Sequence, residues 1–237
     1  MEEEKQEMVK QVEDDEEGKL CLMYWNFRGL AEPIRTLMEY LELPYKETKL
    51  SLGPAPLFSA ATWEEKKGSL GTSFPNLPNL KDGDFILSES MAIMRYLCKK
   101  HAPDMVGKTL LDESQVDMVQ HMMYDLKMKV TLPTYTPDWE KNKFAVRKYV
   151  KQRLHYIHDF LNDKPFLLGY LTYLDFFFCE LLEFIMKALD SELIKQFPSF
   201  LTLLQRFLQI TQIQKYRQSS KFANAGKFNN VSAFLEI

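Results

Sequence analysis

Apolar and polar residues follow two different periods along this chain. Leu20 to Trp25 is a short apolar run, which predicts a buried strand, and it ends at the turn-forming residues Asn26 to Gly29. Apolar residues then recur at helical spacing, so a helix is predicted with Pro33 in its first turn and its end before Pro44. The inward face of this helix is expected to hold Leu30, Ile34, Leu37, Met38 and Leu41.

The segment that follows predicts a second strand, a long irregular stretch and a hairpin. Residues 45–50 alternate like a strand, and residues 51–73 are rich in Gly, Pro, Ala and Ser. NLPNLKDGDFIL then indicates two short strands joined at Asp82-Gly83, and Ser90 is expected to cap a helix that ends at His101. Strand, helix and strand in this order predict a right-handed parallel crossover. We therefore expect a small α/β domain with a four-stranded mixed sheet.

From residue 110 onward the apolar positions are three and four residues apart, which is typical of helices. The chain is therefore predicted to have an α/β domain over residues 19–103 and an all-helical domain over residues 108–222, joined by a short linker. Residues 1–18 precede these domains as a separate acidic segment, and residues 223–237 form a C-terminal tail.

Composition is that of a soluble globular protein, with 46% hydrophobic and 27% charged residues. No apolar run approaches the roughly 18 residues of a membrane span, and the acidic N-terminus lacks the pattern of a secretory signal. The three cysteines are scattered and predict no disulfide framework, so we expect a reducing, cytoplasmic location.

Charge is concentrated at the N-terminus. Residues 1–20 carry nine acidic and three basic side chains, whereas the whole chain has a net charge of −3. With few apolar anchors, the first 18 residues are expected to be disordered or a mobile helix, serving either as a solubilising extension or as a tail for a basic protein partner. The body has no basic stripe interleaved with aromatic residues, so neither nucleic acid nor a membrane is expected as a partner.

The common metal and catalytic motifs are missing. The four histidines lack zinc-ligand spacing, and no P-loop, GxGxxG or GxSxG occurs, so no metal is expected. Ligands of α/β sheets bind at the carboxyl ends of parallel strands, where Tyr24 is expected, and the helix N-terminus at Ser90 attracts anions. Pro78 is a candidate cis proline that exposes the backbone of Leu77 to an extended peptide. These residues alone leave two roles open for Tyr24, core packing and contact with a small anionic peptide.

Five separated segments resemble the cytosolic glutathione transferases, and specifically their mu class. They are YWNFRGLAEPIRTLMEYL, GPAP…TWEEKKGSLGTSFPNLPNLKDG, SESMAIMRYLCKKH, LTYLDFF and FPSFLTLLQRF. The similarity extends from about Leu20 to Phe222. It implies the glutathione transferase fold, with a thioredoxin-like N-terminal domain and an all-α C-terminal domain. It also implies a homodimeric detoxification enzyme that joins the thiolate of glutathione, its co-substrate, to apolar electrophiles.

The resemblance implies a glutathione site residue by residue. Tyr24 matches the tyrosine whose hydroxyl donates a hydrogen bond to the sulfur. Such a donor stabilises the nucleophilic thiolate of a thiol whose pKa is ordinarily about 8.5. Asn76 and Leu77 match the positions that pair with the cysteinyl backbone ahead of Pro78. At one end of glutathione, the positions that match those binding the glycyl carboxylate are Trp25, Trp63 and Lys67. At the other end, Glu89 and Ser90 match the positions that bind the γ-glutamyl group. Asp125 matches an acid that reaches the γ-glutamyl amine across the dimer.

The resemblance also implies an electrophile contact and a dimer interface. Tyr135 matches a tyrosine that donates to the electrophile. Phe74 matches an aromatic residue that inserts between helices of the second subunit, and Arg95 an arginine at the same interface. Thr172 to Asp175 is interpreted as a helix-capping box, and Trp139 and Phe176 to Phe178 are expected in the core.

Two positions depart from the mu-class pattern. Ala60 stands where that pattern has a basic residue, and Glu89 stands where it has glutamine. A carboxylate at residue 89 is expected to repel the γ-glutamyl carboxylate and to attract its ammonium group. With the acidic extension and an altered tail, these departures leave a second hypothesis. The chain would then be a non-catalytic accessory subunit of a larger assembly, and conjugation of glutathione to an aryl halide separates the two.

Overall fold

The computed structural model describes residues 20–54 and 57–228. The predicted acidic extension over residues 1–18 and the end of the tail, residues 229–237, lie outside these ranges. Their predicted roles therefore stay predictions.

A four-stranded mixed sheet forms the N-terminal part. β1 (Leu20–Trp25) pairs in parallel with β2 (Tyr45–Leu50) and antiparallel with β3 (Asn79–Asp82), which continues into β4 (Phe85–Ser88). The strand order is β2-β1-β3-β4, so the predicted parallel crossover and hairpin are both confirmed. The hairpin turn is Gly83-Asp84, one residue later than predicted, because Asp82 still belongs to β3 and pairs with Phe85 of β4.

Three helices accompany this sheet. α1 (Glu32–Tyr40) forms the crossover between β1 and β2, α2 (Ala61–Lys67) follows β2, and α3 (Ser90–His101) follows the hairpin. Most of the predicted inward residues of α1 and α3 are fully buried: Ile34, Leu37, Met38, Ile93, Met94 and Leu97. Leu30 and Leu41, also predicted on this face of α1, flank the helix and are only half-buried. Pro33 lies in the first turn of α1, where a missing N–H group removes no helical hydrogen bond.

Two local predictions are wrong. The stretch of residues 51–73 is not wholly irregular, because α2 lies within it. No residue of α2 is buried, so this helix lacks the apolar period that indicates a helix in the sequence. Ser90 is the first residue of α3 rather than its cap. Glu89 occupies the cap position with a φ of 73° and makes no capping hydrogen bond through its side chain.

In the described chain from residue 110 to residue 223, all of the regular secondary structure is helical. They are α4 (Leu110–Thr131), α5 (Trp139–Leu161), α6 (Tyr173–Ala188), α7 (Ser191–Lys195), α8 (Pro198–Leu208), α9 (Thr211–Arg217) and α10 (Ser220–Ala223). Two short 3-10 helices, Pro103–Val106 and Leu132–Tyr135, precede and follow α4. The predicted fold class, an α/β domain followed by an all-helical domain, is thus confirmed. None of the described helices is long and apolar enough to cross a membrane.

α6 is the central helix of the C-terminal part, since thirteen of its sixteen residues are buried. Its N-terminus carries the predicted capping box. Asp175 accepts hydrogen bonds from the backbone N–H groups of Thr172, at 2.8 Å, and Leu167, at 2.9 Å. Trp139 and Phe176 to Phe178 are buried, as predicted.

Candidate active site

The strand register brings the predicted site segments to one edge of the sheet. Met23 lies opposite Asn79, and Asn79 lies opposite Ser88. The residues next along these three strands toward that edge are Tyr24, Pro78 and Glu89. The peptide bond between Leu77 and Pro78 is cis, as predicted. Trp25 lies opposite Leu50, so the end of β2 shares the edge.

The hydroxyl of Tyr24 is held in one position. Its oxygen accepts a hydrogen bond of 3.0 Å from the backbone N–H of Leu30, and the side chain is buried. Burial raises the pKa of Tyr24, so the hydroxyl keeps its proton at neutral pH. Because the oxygen acts as acceptor toward Leu30, that proton is available for donation to a ligand.

The residues around the cis proline are tied together by side-chain hydrogen bonds. Asn76 Nδ2 donates to Glu89 Oε1 at 2.8 Å, and Asn76 Oδ1 accepts from the backbone N–H of Leu77 at 2.9 Å. Glu89 lies in the left-handed region, a conformation that is costly for a residue other than glycine and that often marks a functional site. The Glu89 carboxylate therefore has a fixed direction at the N-terminus of α3.

Ser90 offers an unused polar group at the same place. Its side-chain oxygen is buried and makes no hydrogen bond to any described residue. It lies in the first turn of a twelve-residue helix, where backbone N–H groups have no partner within the helix. Such an arrangement binds carboxylates and other anions.

α2 supplies the residues predicted for the glycyl carboxylate. Thr62 Oγ1 donates to the carbonyl of Ser51 at 2.9 Å, which fixes α2 beside the end of β2. Trp63 and Lys67 are four residues apart and therefore lie on one face of this helix, both half-buried. Lys67 forms an ion pair with Glu64. Ala60, the cap residue of α2, adds no charge at this end of the sheet.

A cavity of about 80 Å³ lies beside Tyr24, between the two parts of the chain. Tyr135, predicted as the electrophile contact, lines it together with Tyr24, so the structure brings these two residues together. The other walls include Phe184 of α6, and Lys127 and Thr131 of α4. Aromatic and aliphatic walls with a few hydroxyl groups suit an apolar ligand that carries a polar substituent.

The C-terminal tail closes one side of this cavity. The carbonyls of Lys227 and Phe228 accept hydrogen bonds from the backbone N–H groups of Arg28, at 2.9 Å, and Gly29, at 3.1 Å. The ring of Phe228 lines the cavity and lies 3.8 Å from the Arg28 guanidinium carbon. This described part of the tail thus walls the pocket.

A group of buried charges lies behind the cavity. Arg28 forms ion pairs with Glu180, at 2.5 Å, and Glu183, at 2.6 Å, and Glu183 also pairs with Arg217. Lys127 is only 4% exposed. The sequence interpretation missed these residues. The signal for Lys127 is its position within the apolar stripe of α4, beside Leu126 and three residues before Val130.

Three predicted residues lie away from this cavity. Asp125 is exposed and borders a separate open groove on α4 with Lys129 and Tyr149. Phe74 is 80% exposed, and Arg95 pairs with Asp117 at 2.6 Å. Their predicted roles involve a second subunit. Among the described residues, no group of three or more His, Cys, Asp or Glu side chains could hold a metal ion.

Comparison with known proteins gives matches along most of the chain. The family model "Glutathione S-transferase, N-terminal domain" matches residues 21–99, and "Glutathione S-transferase, C-terminal domain" matches residues 124–220. Glutathione S-transferase Mu 1 of Mus musculus is 35% identical over 218 residues, which are 90% of this chain and 97% of the relative. Glutathione S-transferase 2 of Gallus gallus is 38% identical over 212 residues, with coverages of 88% and 94%. The solved glutathione S-transferase Blo t 8 superposes with a TM-score of 0.81 at 27% identity, covering 91% of this chain and 100% of that one.

Proposed function

Because this chain belongs to the glutathione S-transferase family, we propose that Tyr24 activates the thiol of glutathione and that the cavity beside it holds the electrophile. The chain is a transferase that conjugates glutathione to electrophilic substrates. One observation carries the assignment to Tyr24. Its buried hydroxyl oxygen accepts from the backbone N–H of Leu30, so its O–H group remains available as a donor at the cavity.

Tyr24 acts as a donor rather than as a base. A hydrogen bond to a charged group contributes about 1.5–3 kcal/mol, which corresponds to roughly one to two units of thiol pKa. The thiol proton leaves to solvent and the thiolate attacks the electrophilic carbon. A carbon–sulfur bond forms while the bond to the leaving group breaks, and the leaving group takes the electron pair. Tyr24 keeps its own proton throughout, in agreement with the raised pKa of its hydroxyl.

Glutathione is proposed to lie along the edge of the sheet. Its γ-glutamyl carboxylate accepts from Ser90 Oγ and from the N–H groups of α3, and its ammonium faces the Glu89 carboxylate. The cysteinyl carbonyl accepts a hydrogen bond from the backbone N–H of Leu77. This hydrogen bond replaces the one that the Leu77 N–H donates to Asn76 Oδ1. This exchange conserves the number of hydrogen bonds, so it adds orientation at little cost.

The glycyl carboxylate is proposed to lie near Trp25, Trp63 and Lys67. Indole N–H groups and an ammonium are donors without acceptor capacity, which suits a carboxylate. Lys67 forms an exposed ion pair with Glu64, and exposed ion pairs contribute at most about 1 kcal/mol to stability. A ligand carboxylate therefore competes readily for this ammonium.

We also propose a homodimer that works in detoxification in the cytoplasm. The exposure of Phe74 and the position of Arg95 support a two-fold contact, through which Asp125 would reach the γ-glutamyl amine in the partner subunit. Cys98 and Cys179 are buried free thiols, which supports a reducing compartment.

The test is conjugation of glutathione to a neutral aryl halide by the wild type and by Tyr24→Phe. We expect a loss of about 10- to 100-fold in kcat/KM and a shift of the pH–rate profile to higher pH, because the thiolate loses its donor. Tyr156→Phe is the matched control, since Tyr156 is exposed on α5. A folded wild type without conjugating activity would contradict the proposal.

No contact among residues 20–54 and 57–228 favours the alternative of a non-catalytic accessory subunit. That alternative was motivated by Ala60, Glu89, the altered tail and the acidic extension, and the extension lies outside the described residues. It predicts that calorimetry detects glutathione binding by the wild type while turnover is missing.

A further inference from the structure

Lys127 places a buried cation in the wall of the electrophile cavity. The residue is 4% exposed, and within the described part of the chain its ammonium makes no hydrogen bond and no ion pair. Its nitrogen lies 3.6 Å from the centre of the Phe184 ring. A cation–π contact offsets only part of the cost of removing an ammonium from water. In agreement, burial lowers the pKa of Lys127.

The neighbouring carboxylates are held by arginines. Glu180 Oε2 accepts from Arg28 at 2.5 Å, whereas Glu180 Oε1 is buried without a hydrogen-bond partner among the described residues. Glu183 is bound by both Arg28 and Arg217. The negative charge of Glu180 attracts the Lys127 ammonium, and the positive charge of Arg28 repels it. Each carboxylate is thus bound to at least one arginine, and neither forms an ion pair with the Lys127 ammonium, which lines the cavity.

Thr131 adds a second donor on the same side of α4. It follows Lys127 by one helical turn, so both side chains lie on the cavity face. Its side-chain oxygen is buried and has no hydrogen-bond partner among the residues described. A buried lysine that forms no ion pair and a buried hydroxyl without a partner, four residues apart, thus line the cavity beside Tyr24. Buried polar groups are normally satisfied, so this pair indicates an absent ligand group.

We propose that this enzyme prefers electrophiles that carry a carboxylate, which accepts hydrogen bonds from Lys127 Nζ and Thr131 Oγ1 while the reactive carbon faces Tyr24. The proposal deepens the proposed function and rests on it for the position of the sulfur. A carboxylate fits better than a neutral acceptor, because only a full negative charge compensates the buried ammonium. Lys127 would act in substrate selection, and the carboxylate itself would remain unchanged in the reaction.

The test compares a chloro-dinitrobenzoate with its primary amide, which differ in charge at one substituent. In both, the glutathione sulfur bonds to the ring carbon, the carbon–chlorine bond breaks and chloride leaves with the electron pair. Each kcat/KM is divided by the rate constant of the uncatalysed reaction with glutathione. We expect the wild type to prefer the carboxylate, and Lys127→Met to lower this preference on the order of 10- to 100-fold.

Lys129→Met is the matched control, because Lys129 is an exposed lysine of the same helix, with its ammonium over Tyr149. It should keep the wild-type preference. Thr131→Val should lower it by a smaller factor, since it removes one neutral donor. If Lys127→Met does not fold, Lys127→Gln replaces it as a neutral polar variant.

An equal preference in the wild type and in Lys127→Met would overturn the proposal, even where conjugation of the amide confirms the proposed function. If the wild type conjugates neither compound, calorimetry with the two S-aryl glutathione conjugates decides instead. Tighter binding of the carboxylate conjugate that is lost in Lys127→Met supports the proposal. Equal affinities of the wild type for both conjugates contradict it, independently of turnover.

Discussion

The backbone N–H of Leu30 donates a hydrogen bond of 3.0 Å to the hydroxyl oxygen of Tyr24. The two residues are separated by a turn that contains Gly29, whose φ is 46°. The turn thus returns the chain to the end of its own strand and fixes the hydroxyl there. Through the N–H of Gly29 it also binds the carbonyl of Phe228, so the same few residues orient the hydroxyl and hold the tail over the cavity.

Gly29→Ala should damage catalysis more than folding. A Cβ atom at residue 29 would lie 2.4 Å from the Tyr24 hydroxyl oxygen, and the backbone conformation is one that alanine adopts only with strain. We expect a loss of roughly 100-fold in kcat/KM and about 1–2 kcal/mol in the free energy of unfolding. Gly68→Ala is the control, since a Cβ atom there meets nothing within 4 Å. Wild-type kinetics for Gly29→Ala would show that the position of the hydroxyl is unimportant.

Ser90→Ala should weaken glutathione binding without weakening the fold. The side-chain oxygen of Ser90 is buried and without a partner among the described residues, so its removal leaves no group unsatisfied. Its hydrogen bond to a carboxylate is worth about 1.5–3 kcal/mol, so we expect the Kd for glutathione to rise by about 10- to 100-fold. Calorimetry measures the Kd, and urea unfolding measures the stability. Destabilisation at unchanged affinity is the result that contradicts this role.

Lys127→Met should stabilise the protein at neutral pH. The buried ammonium has no ion pair among the described residues, and replacing it with an apolar side chain of similar length removes its desolvation cost. An increase of about 1–3 kcal/mol in the free energy of unfolding is expected. Because the folded pKa of Lys127 is lowered, the folded state loses this proton first, and the advantage of the variant should shrink as pH rises into the alkaline range. A destabilised variant would indicate that Lys127 is needed to balance Glu180.

Asp175 should make stability depend on pH in the direction opposite to an ordinary salt-bridged aspartate. Burial raises the pKa of Asp175 from 3.8 to about 6, against the opposing effect of its hydrogen bonds. The folded state therefore binds the additional proton between about pH 4 and pH 6, and stability falls as pH rises through this window, by up to about 3 kcal/mol. Urea unfolding of the wild type and Asp175→Asn across the window isolates this group. The free energy of unfolding of the wild type, relative to that of Asp175→Asn, should decrease toward neutral pH. A relative stability that does not change with pH would exclude the effect.

Phe74→Ser should weaken the proposed homodimer. Phe74 is 80% exposed, and a serine there removes the apolar ring that would insert into a second subunit. Sedimentation equilibrium should show a rise in the dimer dissociation constant of at least about 10-fold. Phe144→Ser is the matched control, because Phe144 is 79% exposed on α5 and has no proposed role at the interface. Equal effects of the two substitutions would indicate that neither residue is a specific contact.

Local patterns were sufficient for most of the fold. The apolar run of β1, the helical spacing of α1 and the Asp-Gly hairpin each contain their own signal within a few residues, and all three elements are present. The predictions failed where the signal is weak. α2 buries none of its residues, so no apolar stripe reveals it, and Glu89 occupies a cap position that Ser90 fits better by residue type.

The sequence by itself determined the order of the elements, the cis proline and the family resemblance, because these depend on residue types at short spacing. Only the tertiary structure decided the cavity that is proposed to hold the electrophile. Its walls come from residues as far apart along the chain as Tyr24, Lys127 and Phe228. Whether a lysine in an apolar stripe points to solvent or into a cavity depends on what packs against it from distant elements. That is the physical reason why Lys127 was missed, and why the proposed selectivity depends on the folded structure.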